Sequence, residues 1–132
     1  MKKKILVILF ICLSATACKN KDSEIIDYSK YKFTDISWER PSDNDNDKTY
    51  IEFYSNGMFG YYCSCGNPIE NYDLCSEYTY DDATKTITLK CEKNSKNIEK
   101  TIKIKSQTSK KLVLSFGKET RTFTKGNPLN QT

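Results

Sequence analysis

Cys63, Cys65, Cys75 and Cys91 are the residues of this 132-residue chain whose chemistry depends most on where it folds. As thiolates they could ligate zinc, as a dithiol they could exchange electrons, and oxidised they could staple strands. Their spacing lacks the two CxxC pairs of a zinc ribbon, and the "GNP" after Cys65 forbids the helix that a thioredoxin-like pair requires. The chain opens "MKKKILVILFICLSATACKN", with Lys2, Lys3 and Lys4 as a positive n-region, Ile5 to Leu13 as an apolar h-region and small residues before Cys18. That is the layout of an export signal. Exported thiols oxidise, so the four cysteines read as two disulfides, and neither a metal nor a cofactor is expected. Alternate residues on one strand lie near the upper limit of disulfide reach. The expected partners of Cys63 and Cys65 are therefore Cys75 and Cys91, with the order left open.

Other chemistries fail on residue type. The chain has no histidine, which removes Ser/His and Cys/His catalysis and the commonest metal ligand. Asp43, Asp45 and Asp47 alternate as in a calcium loop, but Lys48 stands where the loop needs glycine and Tyr54 where it needs a bidentate glutamate. An acidic solvated loop is the expectation there. The remaining carboxylates sit in turns without an acid/base pair, so no enzyme is expected. The formal charge of +4 owes three units to Lys2, Lys3 and Lys4, and arginine is confined to Arg40 and Arg121, so nucleic acid is not an expected partner.

The elements that must position these residues alternate at period two. They are "FTDISWE" (33–39), "TYIEFYS" (49–55), "MFGYYCSC" (58–65), "YDLCSEYTY" (72–80), "TITLKC" (86–91), "IEKTIKIK" (98–105), "KLVLSF" (111–116) and "TRTFT" (120–124). Short Gly-, Asn- and Asp-rich turns separate them, so successive strands should be antiparallel neighbours. Closing such a meander removes its exposed edges, which predicts a single all-β, up-and-down, eight-stranded barrel. Phe53, Phe59, Tyr61, Tyr78 and Tyr80 crowd the second to fourth strands. Two readings stand: a packed core, which is preferred, or a tyrosine-lined cavity for a small amphiphilic ligand.

"ATAC" resembles the lipobox of bacterial lipoproteins, with Ala15 where leucine is usual. The resemblance implies thioether-linked diacylglycerol on Cys18, cleavage before it and acylation, with palmitate-like chains, of the new N-terminus. Several acyl chains hold a protein firmly on a bilayer. The h-region rises only about 14 Å as a helix, too short to span a hydrocarbon core. The expected organisation is a signal peptide at 1–17, a membrane tether at 18–31, a barrel domain at 32–126 and a tail at 127–132, in the bacterial cell envelope and outside the cytoplasm.

Residues 33 to 124 resemble the small lipocalin-like domains of bacterial lipoproteins. The likeness rests on the early Trp38, the "F-x-x-N-G-x-F" turn from Phe53 to Phe59, the "YTYDDATKTITL" hairpin from Tyr78 to Leu89 and the closing "LVLSF…RTF". It implies a barrel-closing pair, Trp38 with Arg121 packed over it, although Ile36 replaces the family's glycine. The work expected of such a barrel is binding, of a small amphiphile inside it or of an envelope protein at a mouth formed by the acidic first loop. A looser likeness, through Tyr61-Tyr62-Cys63, is to bacterial lipoprotein inhibitors of lysozyme, and a structural envelope role is a further alternative.

Overall fold

A computed structural model describes residues 25–42, 47–69, 71–72 and 74–128. The expected signal peptide, the lipidation site Cys18, most of the acidic loop and the last four residues lie outside the described residues. The period-two segments form eight strands: β1 (Ile36–Pro41), β2 (Lys48–Phe53), β3 (Phe59–Cys63), β4 (Cys75–Asp81), β5 (Thr86–Lys93), β6 (Lys96–Gln107), β7 (Lys111–Phe116) and β8 (Glu119–Pro128). Alternation decides what each strand buries. Thr49, Ile51 and Phe53 of β2, Ile87, Leu89 and Cys91 of β5, and Leu112 and Leu114 of β7 share one interior. A register shift between Cys75 and Glu77 re-phases β4, so that Cys75 and Tyr78 both face inward. The β5–β6 hairpin turns on Asn94 and Ser95, both at positive φ (52° and 63°), which matches the twist of the flanking strands.

Around the sheet the order is β3-β2-β1-β8-β7-β6-β5-β4, so the first and last strands pair and the antiparallel sheet forms a nearly closed barrel whose two edges are β3 and β4. The expectation that every successive pair bonds is corrected at one place. β3 and β4 form no ladder among the described residues, where an isolated bridge between Met58, just before β3, and Glu77 of β4 links this side of the sheet. The connection between them is too long for a tight hairpin, and its residues 67–69 fold back along β3 instead. The Cys63 amide donates to the Asn67 carbonyl at 3.0 Å and the Ile69 amide to Tyr61 at 3.1 Å, covering the free edge of β3. On β4 the Tyr78 amide donates to Gly57 at 2.9 Å, and the Tyr80 amide to the Tyr28 hydroxyl at 3.3 Å. Neither edge of the gap is left as a bare template for pairing.

The cysteine pairing is a second correction. Cys63 bonds to Cys65 and Cys75 to Cys91, rather than each of the first two to one of the last two. Cys63 ends β3, and the chain turns at once, with the Gly66 amide donating to the Cys63 carbonyl at 3.0 Å. The turn brings the two Cα atoms to 5.2 Å, inside disulfide reach, where a straight strand would have held them near its limit. Cys75 and Cys91 are direct register partners across β4 and β5. On loop-closure entropy their bridge is worth about 3 kcal/mol, and one between residues two apart about half that.

The two ends of the barrel differ. The segment before β1 folds over one end: the Tyr28 amide donates to Ser55 at 2.7 Å, Phe33 is buried, and Tyr28 and Tyr31 pack on the core. Folded contacts therefore begin before residue 32, and β8 runs past residue 126 to Pro128. The antiparallel order places the C-terminal ends of β1, β3, β5 and β7 at the opposite end.

Candidate functional site

Phe53, Phe59, Tyr61 and Tyr78, the residues expected around a cavity, are all buried in one core cluster, Tyr61 at the end away from the N-terminal segment. Phe53 meets Phe33 at 5.5 Å, Phe59 at 5.4 Å and Tyr78 at 5.3 Å between ring centroids, in the tilted and edge-on geometries that favour aromatic pairs. Tyr80, half-exposed, closes against Phe33 at 4.9 Å and Tyr31 at 4.8 Å. The Tyr78 hydroxyl donates to the Tyr54 carbonyl at 2.7 Å. These side chains belong to one buried cluster. An open groove of about 460 Å³ lies outside the barrel near the β5–β6 hairpin, and its lining includes Glu77, Lys90, Glu92 and Glu99, unlike an apolar ligand cavity.

Trp38 and Arg121 are placed apart. Trp38 is fully buried and its indole N–H donates to the Phe33 carbonyl at 2.9 Å, tying the N-terminal plug to β1. Its register partner on β8 is Lys125, four residues along the strand from Arg121. Arg121 points inward at the opposite end, on the same face of β8 as buried Phe123. Its Nη1 donates to the Tyr61 hydroxyl at 2.6 Å, while Nε and Nη2 donate to the two Glu119 oxygens at 3.0 Å each. The guanidinium lies 5.0 Å from the Phe116 ring, a cation over an aromatic face. Tyr72, from the β3–β4 connection, packs 5.4 Å from Tyr61 and edge-on to Phe116 at 5.8 Å, and Lys100 Nζ lies 5.2 Å from the Tyr72 ring centroid.

Burial raises the Tyr61 hydroxyl above its ordinary value, with Arg121 pulling the other way. Arg121 is held more firmly protonated by Glu119 first, and Glu119 is held below the usual carboxylate range by Arg121. Arg40 enters from β1 and acts electrostatically on both Tyr61 and Glu119. Thr49, opposite Arg40 on β2, is 6% exposed, and its hydroxyl lacks a hydrogen-bond partner among the described residues. A buried hydroxyl without a partner is uncommon. The Arg121 guanidinium and the Tyr61 hydroxyl meet at this mouth, and the register pair Arg40 and Thr49 lies at the same end of the barrel. The sequence marked Arg121 and Tyr61 for other roles, and nothing in it pointed to Arg40 or Thr49, which the register of β1 and β2 brings there.

A second cluster lies on the outer face. Glu52 is 4% exposed although it points away from the core, and it accepts from Tyr54 at 3.0 Å and Tyr62 at 2.7 Å. The sequence did not single Glu52 out, and the one mark it carries is "YIEFY", where Tyr50 and Tyr54 flank it at period two. Both carboxylate oxygens are engaged, so the cluster fixes β2 and β3 rather than offering a free base. Among the described residues no three acidic or cysteine side chains converge as a metal site.

Burial, then Glu52, pushes Tyr54 up to about 12, and burial, then Asp82, does the same for Tyr80. Tyr62 and Tyr78 are also raised, chiefly by burial. Each folded hydroxyl holds its proton more tightly than in the unfolded chain, where it titrates near about 10. That stabilisation is complete below about pH 10 and is lost as pH rises from there toward 12. We expect the urea midpoint to fall above about pH 10, with phenolate absorbance appearing together with unfolding. Tyrosines that ionise freely near pH 10 while the circular dichroism stays native would contradict these environments.

No family model matches the chain, and no curated protein matches it. Among solved structures, a lipocalin-like protein from Bacteroides thetaiotaomicron aligns with a TM-score of 0.46 and 19% identity, covering 70% of this chain and 96% of that one.

Proposed function

We propose that this protein is a binding module of the bacterial envelope rather than an enzyme, held on a membrane by lipid at Cys18, and that it engages a carboxylate-bearing ligand at the Arg121 mouth. The observation that carries the reading is the contrast between the two ends. The end entered by the chain from Cys18 is plugged by Tyr28, Tyr31 and Phe33. The opposite end, which the tether would point away from the bilayer, carries Arg121 bonded to Tyr61, and Arg40 in register with Thr49, whose buried hydroxyl has no partner among the described residues. With the aromatic side chains buried in the core, an amphiphile would lie with its head in this mouth and its tail along the rim, not inside the barrel. An acidic side chain of an envelope protein would offer the same group.

Glu119 now occupies the carboxylate position on Arg121 and is mostly exposed, so a ligand can displace it. The test is an NMR titration of the mature protein with dodecanoate and with acetate, following the Arg121 Nε–H signal. Dodecanoate should shift it, and Glu119→Gln should tighten binding about tenfold, the worth of one charge-assisted hydrogen bond. Arg121→Gln should abolish the response. A shift with acetate alone would favour a partner's acidic side chain over an amphiphile. An unchanged Arg121 signal with both probes would refute the mouth as the site.

A further inference from the structure

The two disulfides occupy opposite kinds of place. Cys75–Cys91 joins buried residues on adjacent strands, 8% and 6% exposed, across a sequence separation of 16. Cys63–Cys65 joins residues two apart in a surface turn, with Cys65 exposed and Cys63 half-buried. That turn is already closed without sulfur. The Gly66 amide donates to Cys63 and the Cys63 amide to Asn67, both at 3.0 Å, and the Ser64 amide donates to Lys48 at 2.7 Å. The Lys48 amide returns a bond to the Ser64 hydroxyl at 3.2 Å, and that hydroxyl donates to Asp47 at 3.0 Å. These hydrogen bonds hold the turn whether the bridge is closed or open. A staple so placed adds less to the fold than the buried bridge does, and its sulfurs would remain within bonding reach if reduced.

We propose that Cys63–Cys65 is a reversible thiol–disulfide exchange site for soluble thiols, and that Cys75–Cys91 alone is the structural bridge. The exposed partner defines the direction of attack. An external thiolate bonds to Cys65 Sγ, the Cys63–Cys65 bond breaks, and the electron pair leaves on Cys63 Sγ, which takes up a proton. A second external thiolate then attacks the mixed disulfide, releasing an oxidised thiol pair and leaving Cys65 reduced. Two thiols thus supply the two electrons, and the reverse sequence with an oxidised thiol restores the bridge. The hydrogen-bonded turn keeps both sulfurs at the end of β3, so closure is intramolecular and needs no refolding.

The experiment uses the mature, oxidised protein in glutathione redox buffers, with alkylation at timed intervals and mass spectrometry of each cysteine peptide. Cys63–Cys65 should open at least tenfold faster than Cys75–Cys91, and close again with oxidised glutathione, while Trp38 fluorescence stays native. In Cys63→Ala, glutathione should be captured at Cys65 and stay there, because the resolving sulfur is gone. Cys65→Ala should react more slowly at the half-buried Cys63. Opening of both bridges together with loss of native fluorescence, or a Cys63–Cys65 bridge that outlasts Cys75–Cys91, would overturn the assignment.

Discussion

Trp38→Ala should cost about 4 kcal/mol, the scale of deleting a buried aromatic and leaving most of its cavity open. Trp38 has no exposed surface, and it lies on β1, which pairs with β2 on one side and with β8 on the other. The substitution also strands the Phe33 carbonyl that the indole N–H now satisfies, so the N-terminal plug loses its tie to the barrel wall. Trp38→Phe keeps a ring and loses the tie, and should cost roughly half as much. Urea titrations followed by far-UV circular dichroism measure both, since fluorescence is lost with the indole. Adding Arg121→Gln to Trp38→Phe should give a sum of the single effects within about 0.5 kcal/mol, as for separate sites. Marked non-additivity would mean that the two side chains pack together after all, and a Trp38→Ala midpoint close to wild type would remove Trp38 from the core.

The strand pattern was legible because alternation is a local property. "TYIEF", "TITLKC" and "KLVLSF" each show their inward residues at period two, and each became a strand with those residues buried. Closure was legible through the need to hide strand edges, but its weak point was not. The gap between β3 and β4 depends on how residues 67–69 fold back on β3, and the Asn67 and Ile69 bonds have no period that a sequence can display. The disulfide connectivity failed for a related reason. Distances along a straight strand were applied to Cys63 and Cys65, whereas the strand ends at Cys63 and the turn shortens the span.

The candidate site was half legible. Arg121 and Tyr61 stood out by residue type, yet their meeting depends on β8 and β3 facing one another across the barrel end, sixty residues apart in sequence. Arg40 and Thr49 carry no local mark and are united by cross-strand register. Glu52 was hidden by the rule that charged residues on a strand's outer side are solvated. Tyr54 and Tyr62 bury it by covering both oxygens, an arrangement that needs side chains from β3 and from just past β2.

Gly126→Ala is the smallest substitution with a large expected effect, about 2 to 3 kcal/mol, in the range of overpacking a tight site. A Cβ at Gly126 would collide with the Ser37 carbonyl oxygen and lie 3.3 Å from a Glu39 carboxylate oxygen. The first contact is with backbone, so no side-chain rotation relieves it. The β1–β8 ladder must move, where its register already shifts between Ile36 and Trp38. Gly126 is not among the glycines at positive φ, so the cost comes from contact and not from the dihedral. Gly60→Ala is the matched control: on β3 its Cβ would meet nothing nearer than 3.8 Å, and the change should be neutral or stabilise slightly by restricting the unfolded chain. Hydrogen exchange locates the damage, since amides of the β1–β8 ladder should lose protection before those of β5 and β6. Equal urea midpoints for the two alanine variants would mean that β8 does not approach β1 this closely, and the barrel would then have to close elsewhere.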